Sequence, residues 1–183
     1  MDPGTQIMGY ALLQIRADHT LCLVHLDVIR LNRKKDMFER LGMIHEAMRK
    51  VITEFQPDEM AIEAPFFGKN VQSMLKLGRA QGIAIALAME AGLPVTEYSP
   101  RKIKQSITGN GNAGKEKVLK MLQAILQTEL RTSTYDATDA LAVAVCHHFQ
   151  GKSNTIQKVS GKSKKSKSNG WADFLKNNPE RVR

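Results

Sequence analysis

Asp136 and Asp139 stand three positions apart in Tyr135-Asp136-Ala137-Thr138-Asp139-Ala140-Leu141-Ala142. On a helix that spacing puts both carboxylates on one face, one turn apart, as shared coordination of a cation requires. The same spacing also serves a structural reading, with Asp136 as N-cap and Asp139 in the first turn, where acids favour the helix dipole. Glu63 ends the otherwise apolar run Met60-Ala61-Ile62 beside Pro65. A carboxylate there is costly to bury unless it faces a cleft or a cation, although strand ends also hold lone acids. Asp2 precedes Pro3-Gly4-Thr5, a composition that by itself makes a turn. Taken singly, each acid is ambiguous.

The elements that carry these acids follow from periodicity and punctuation. Tyr10–Ile15 and Leu21–Leu31 are apolar extended segments separated by the polar Arg16-Ala17-Asp18-His19-Thr20, which predicts an antiparallel hairpin. Met37, Leu41, Ile44, Met48, Val51 and Ile52 recur at helical spacing within Asp36–Phe55, and Pro57 stops that helix. Asp58–Ala64 reads as a strand, Asn70–Ala91 as a helix closed by Gly92, and Pro94–Tyr98 as another strand. Ser99-Pro100 opens a short basic helix, since Pro is pre-organised for the first helical position. The glycine loop 109–114 leads to helices Lys115–Gln127 and Asp136–Phe149. A hairpin followed by alternating helices and strands is an α/β layered fold on a mixed sheet.

Composition narrows the class. The chain has 183 residues, 42% of them hydrophobic and 25% charged, enough for a folded domain with an appendage. No apolar stretch approaches the roughly 20 residues of a membrane span, so no membrane partner is expected. Cys22 and Cys146 lie in apolar stretches and read as reduced, buried thiols of a cytoplasmic protein. The formal net charge of +9 is unevenly placed: residues 151–183 carry 9 Lys+Arg against 2 Asp+Glu. That polar segment reads as a flexible basic tail suited to phosphate attraction or to solubility. Within it, Trp171, Phe174 and Leu175 have the spacing of one amphipathic turn.

Together the motifs are more specific than any one of them. Asp2-Pro3-Gly4-Thr5 followed by Gly9-Tyr10, Ala61-Ile62-Glu63 followed by Lys69-Asn70, and Leu75-Lys76-Leu77-Gly78-Arg79-Ala80-Gln81-Gly82 occur in that order. Arg101-Lys102-Ile103-Lys104-Gln105 and Asp136-Ala137-Thr138-Asp139-Ala140-Leu141-Ala142 follow them. The ordered set, over about residues 2–150, resembles the RuvC family of Holliday-junction resolvases. The resemblance implies an RNase H-like nuclease domain over residues 1–150, with a mixed five-stranded sheet flanked by helices, and leaves 151–183 outside as the tail. It implies metal-dependent phosphodiester hydrolysis in DNA recombination and repair, with Asp2, Glu63, Asp136 and Asp139 as catalytic ligands of two Mg²⁺ ions for which Mn²⁺ can substitute. Two ions about 3.5–4 Å apart can activate the attacking water and stabilise the leaving oxygen. Phe66 falls at the family's base-stacking position, and Lys69, Lys104 and Lys115 at positions that contact DNA phosphates. The partners implied are four-way junction DNA, a second copy of the chain, and the RuvA and RuvB branch-migration proteins. For the homodimer, the helix Asn70–Ala91 offers a stripe of Met74, Leu77, Gly78, Gln81, Gly82 and Ile85, which packing on the chain's own sheet would explain equally well.

One feature departs from the family pattern. Family members carry a short apolar strand ahead of the first Asp, whereas only Met1 precedes Asp2 here. The expectation is a truncated first strand, with its neighbours left unpaired. The alternatives that stand beside the resolvase reading are an RNase H-like nuclease that processes RNA and an actin-like nucleotide-binding fragment, suggested by Asp-Pro-Gly-Thr. A catalytically impaired junction-binding protein is the third.

Overall fold

The structure is a computed structural model that describes residues 1–65, 70–130 and 134–160, the last nine by backbone alone. Residues 1–152 form one compact unit, and residues 153–183 group separately.

Strands β1 (Ile7–Ile15) and β2 (Leu21–Arg30) form the expected hairpin, antiparallel from Ile7↔Arg30 to Ile15↔Leu21 with a bulge at Leu12/Leu13. The turn closes because Asp18 accepts hydrogen bonds from the backbone and hydroxyl of Thr20, and His19 takes a left-handed φ of 65°. Helix α1 (Met37–Phe55) starts at a capping box in which Asp36 and Glu39 satisfy each other's backbone N–H groups, and it ends at Gln56, just before Pro57. Strand β3 (Met60–Glu63) and strand β4 (Val95–Tyr98) pair in parallel, with helix α2 (Val71–Glu90) as their crossover. Both strands are shorter than the apolar runs that predict them, because only the four residues in register, Met60↔Val95 to Glu63↔Tyr98, find ladder partners. Ser99 caps α3 (Pro100–Thr108), whose end at Gly109 has a φ of 72°. Helix α4 (Lys115–Leu126) follows the glycine loop.

Helix α5 (Tyr135–Ser160) differs from expectation at both ends. It begins at Tyr135, so Asp136 lies inside its first turn rather than at the N-cap. Its backbone continues beyond Phe149 through Lys152 to Ser160, into the segment read as a flexible tail. Trp171, Phe174 and Leu175 lie outside the described residues.

The sheet also requires correction. Among the described residues there is no continuous five-stranded sheet, but two separate pairs, β1–β2 and β3–β4. Met1 and Asp2 join them at one corner. Asp2 makes an isolated antiparallel bridge to Gly9, while Met1 donates to the Ala61 carbonyl at 2.8 Å and accepts from the Glu63 amide at 3.0 Å. Beyond that corner a cleft of about 600 Å³ runs between β1 and the start of β3, lined by Leu13, Ile15, Met60 and His147 among others.

Two apolar clusters hold the layers. One gathers Met8, Ile44, Met48, Ile62, Ala80 and Ala84 from β1, α1, β3 and α2. The other gathers Ile103, Ile107, Leu122, Leu141, Val145 and Cys146 from α3, α4 and α5. Both cysteines are free thiols; Cys146 is buried, but Cys22 is only half-buried, contrary to the expectation for it.

Candidate active site

Four short stretches of backbone deliver the acids. Asp2 is pinned by paired hydrogen bonds with Gly9, each 3.0 Å. Glu63 is the last residue of β3, opposite Tyr98 of β4. Its backbone carbonyl accepts a 3.4 Å hydrogen bond from Gln81, whose amide also donates to Glu97 Oε1 at 2.9 Å. Asp136 and Asp139 project from the first turns of α5, where Thr138 secures the turn by donating to the Tyr135 carbonyl at 2.8 Å.

All four acids line one cavity of about 320 Å³, together with Lys104 of α3 and Lys115 of α4. Lys115 Nζ lies 2.5 Å from Asp139 Oδ2 and 5.6 Å from the centre of the Tyr135 ring. Phe66 and Lys69 lie outside the described residues. Of the residues singled out from sequence, the structure therefore assembles six at one place.

The electrostatics record how crowded the acids are. Burial, then the negative charges of Glu63 and Asp139, push the Asp2 carboxyl up to about 7. Burial and Asp139 likewise raise Glu63, partly offset by a hydrogen bond from Asp2. Lys115 loses hydration through burial, but its hydrogen bond to Asp139 and the surrounding acids prevail and raise its pKa. The site is a sink for positive charge.

Among the described residues, no three His, Cys, Asp or Glu side chains are close enough together to hold a metal ion outright. The acids share a wall without forming a closed cage. The donor set itself fits a hard divalent cation: it is all oxygen, it carries more carboxylates than one ammonium neutralises, and burial together with the neighbouring carboxylates raises the pKa of Asp2 and of Glu63. Two further residues here escape sequence reasoning. Gln81, placed on a candidate interface stripe by spacing alone, is 4% exposed and turned inward under Glu63; its signal was a lone amide among Ala, Gly and Ile. Tyr98 donates to or accepts from His147 Nδ1 at 2.8 Å, and His147 Nε2 faces Glu59 at 3.2 Å, a chain that ties β4 to α5. No local motif marks it.

The α/β scaffold thus sets four acids and two lysines around one cavity. The comparisons with known proteins agree. The sequence model described as "Crossover junction endodeoxyribonuclease RuvC" matches residues 1–147. The chain is 52% identical to the crossover junction endodeoxyribonuclease RuvC of Cytophaga hutchinsonii over 183 residues, covering 100% of this chain and 86% of the relative. It is 51% identical to that of Porphyromonas gingivalis, covering 100% and 95%. Among solved structures, RuvC of Thermus thermophilus in complex with a Holliday junction substrate superposes with a TM-score of 0.78 at 32% identity, covering 84% of this chain and 93% of that one. The chain belongs to the RuvC family of crossover junction endodeoxyribonucleases. It is thus a hydrolase that acts on DNA, which sets aside the RNA-processing and actin-like alternatives.

Proposed function

We propose that the chain resolves four-way DNA junctions by paired, Mg²⁺-dependent hydrolysis of phosphodiester bonds. The observation that carries this reading is the convergence of Asp2, Glu63, Asp136 and Asp139 with Lys104 and Lys115 on one cavity. The four acids would hold the ions, two per site, with Mn²⁺ able to replace Mg²⁺. When bound, the ions supply an activated water and charge stabilisation at the leaving oxygen.

The remaining work belongs to the chain's own residues. Lys104 and Lys115 draw the strand's phosphates to the mouth of the cavity. Burial and the neighbouring carboxylates raise Asp2 and Glu63, so entering positive charge would favour their ionised forms. The apolar lining from Leu77, Ile103 and Val118 limits water beside the reacting phosphate. Phe66 and Lys69 keep their assigned roles, stacking on an unpaired base and contacting a phosphate.

Junctions are near-symmetric, so a C₂ homodimer would present two such sites. The exposed face of α2 supports that partner. Val71 and Leu75 are exposed, and a methyl group added at Gly78 or Gly82 would meet nothing. Leu77 and Gln81 turn inward, so the stripe is narrower than spacing suggests. Family resemblance extends the reading to work with RuvA and RuvB in the cytoplasm; among the described residues no helix is long and apolar enough to cross a membrane.

The test is cleavage of a synthetic four-way junction by the wild type and by Asp136→Asn. Paired nicks that require Mg²⁺ and vanish in the variant, with junction binding retained, support the reading. Cleavage that survives chelation, or survives the substitution, refutes it. Junction binding without any cleavage by the wild type would select the impaired-binder alternative.

A further inference from the structure

Gly9 touches both sides of the acid cleft through backbone alone. Its N–H and C=O pair with the C=O and N–H of Asp2, both at 3.0 Å. The backbone of Asp136 occupies the space a side chain at this position would need. A Cβ on Gly9 would fall 1.9 Å from the Asp136 carbonyl oxygen, 2.5 Å from its carbon and 3.2 Å from the Ala137 nitrogen. The obstacle is helix backbone, so no rotamer change can relieve it; either the first turn of α5 or strand β1 must withdraw. The helical glycines behave otherwise: at Gly42, Gly78 and Gly82 an added methyl meets nothing. The close approach at Gly9 joins the strand that pins one acid to the turn that carries two others.

We propose that Gly9 is a positioning residue for cation binding, setting the separation of Asp2 from Asp136 and Asp139. The inference rests on the reading of these acids as the metal ligands and goes beyond it, because Gly9 itself offers no donor to the cation. Metal sites depend on the backbone that orients their ligands, and losing such support costs roughly 10–100-fold in affinity.

The experiment measures Mn²⁺ binding to the full chain without DNA, by the electron paramagnetic resonance signal of free Mn²⁺. It compares the wild type, Gly9→Ala and Asp136→Asn. Circular dichroism and melting in EDTA report folding, and Gly9→Ala is also made with Gly42→Ala, a change that favours α1 without touching neighbours. The expected result is a folded Gly9→Ala whose Mn²⁺ affinity falls roughly 10–100-fold, with junction binding in EDTA unchanged and cleavage restored by excess Mn²⁺. Gly9→Ala that binds Mn²⁺ as tightly as the wild type overturns the proposal, as does failure to fold even beside Gly42→Ala, which makes the glycine a folding requirement only. Asp136→Asn keeps the two readings distinguishable. If it binds Mn²⁺ like the wild type, the ligand assignment fails; if it loses Mn²⁺ while Gly9→Ala does not, Gly9 alone is misassigned.

Discussion

The Lys115 ammonium lies 2.5 Å from Asp139 Oδ2, so a residue assigned to phosphate contact is held by a residue assigned to cation coordination. If Asp139 holds a metal ion as proposed, Lys115 and the ion would compete for one carboxylate, and the lysine would be freed for phosphate. Lys115→Ala is expected to bind Mn²⁺ more tightly than the wild type, because a competing charge is gone. It should nonetheless cut a junction about 100-fold more slowly, the scale for removing one group that stabilises transition-state charge. Metal titration and single-turnover cleavage check the two effects, whose opposite signs are the point. Weaker Mn²⁺ binding in Lys115→Ala would show that the lysine supports the site instead of competing for it.

Asp2 gives the metal-free protein an unusual dependence on pH. Its carboxyl is pushed up to about 7 in the fold, from an ordinary value of 3.8. Between those values the native state holds a proton that the unfolded chain has released, so stability falls as pH rises. The favourable contribution is present at about pH 4 and gone above about pH 7. The buried Met1 ammonium, whose pKa burial lowers to about 5, acts with the opposite sign over the same range, so the contribution of Asp2 is read as a difference between two proteins. In EDTA, the change in urea stability from pH 5 to pH 8 should be more negative for the wild type than for Asp2→Asn, by on the order of a few kcal/mol, and Mg²⁺ should stabilise the wild type more at pH 8 than at pH 5. Identical pH profiles for the two proteins would contradict the crowding of the acids.

The helices could be read from the chain because their signals are local. Asp36 with Glu39, Ser99 with Pro100, and Gly109 each mark an end by chemistry within four residues, and each end is found there. Six of the residues lining the cavity were accessible through the family resemblance that the ordered motifs carry. What the chain could not show depends on neighbours distant in sequence. Gln81 has helical spacing to both faces of α2, and only the carbonyl of Glu63 and the carboxylate of Glu97 decide which face is inward. Strand limits at Met60 and Glu63 are set by where β4 runs out, not by where apolar residues end. The separation of the two strand pairs reflects ladder partners that no periodicity reports.

Gln81 should accordingly matter to β3 and β4 more than its place in a helix suggests. Gln81→Leu fills a similar volume but removes both donors. Hydrogen bonds to charged groups are worth about 1.5–3 kcal/mol when sheltered, and Glu97 is exposed, so the expected loss is nearer about 1 kcal/mol. Denaturant unfolding at pH 8 measures it. Gln81→Glu should be worse than Gln81→Leu, because a second carboxylate would face Glu97. A Gln81→Leu variant as stable as the wild type would mean the amide is dispensable.

The outward face of α2 supplies the last prediction. Val71 is 65%, Leu75 53% and Met89 68% exposed, and they share a stripe with Gly78 and Gly82. Glycine within a helix costs about 1 kcal/mol relative to alanine, and among the described residues no contact requires it. Close approach of a second helix would use the open surface that these glycines leave, and would bury apolar area otherwise presented to water. If the proposed homodimer forms through this face, Leu75→Glu should yield a monomer in sedimentation velocity where the wild type is a dimer, without lowering its melting temperature in a concentration-independent way. The monomer should nick a junction in one strand at a time, because its two cuts are no longer made from one assembly. A variant that remains dimeric would place the interface elsewhere. A wild type that is monomeric at all concentrations would leave the paired nicks to two independent encounters, which a dependence of product pairing on protein concentration would reveal.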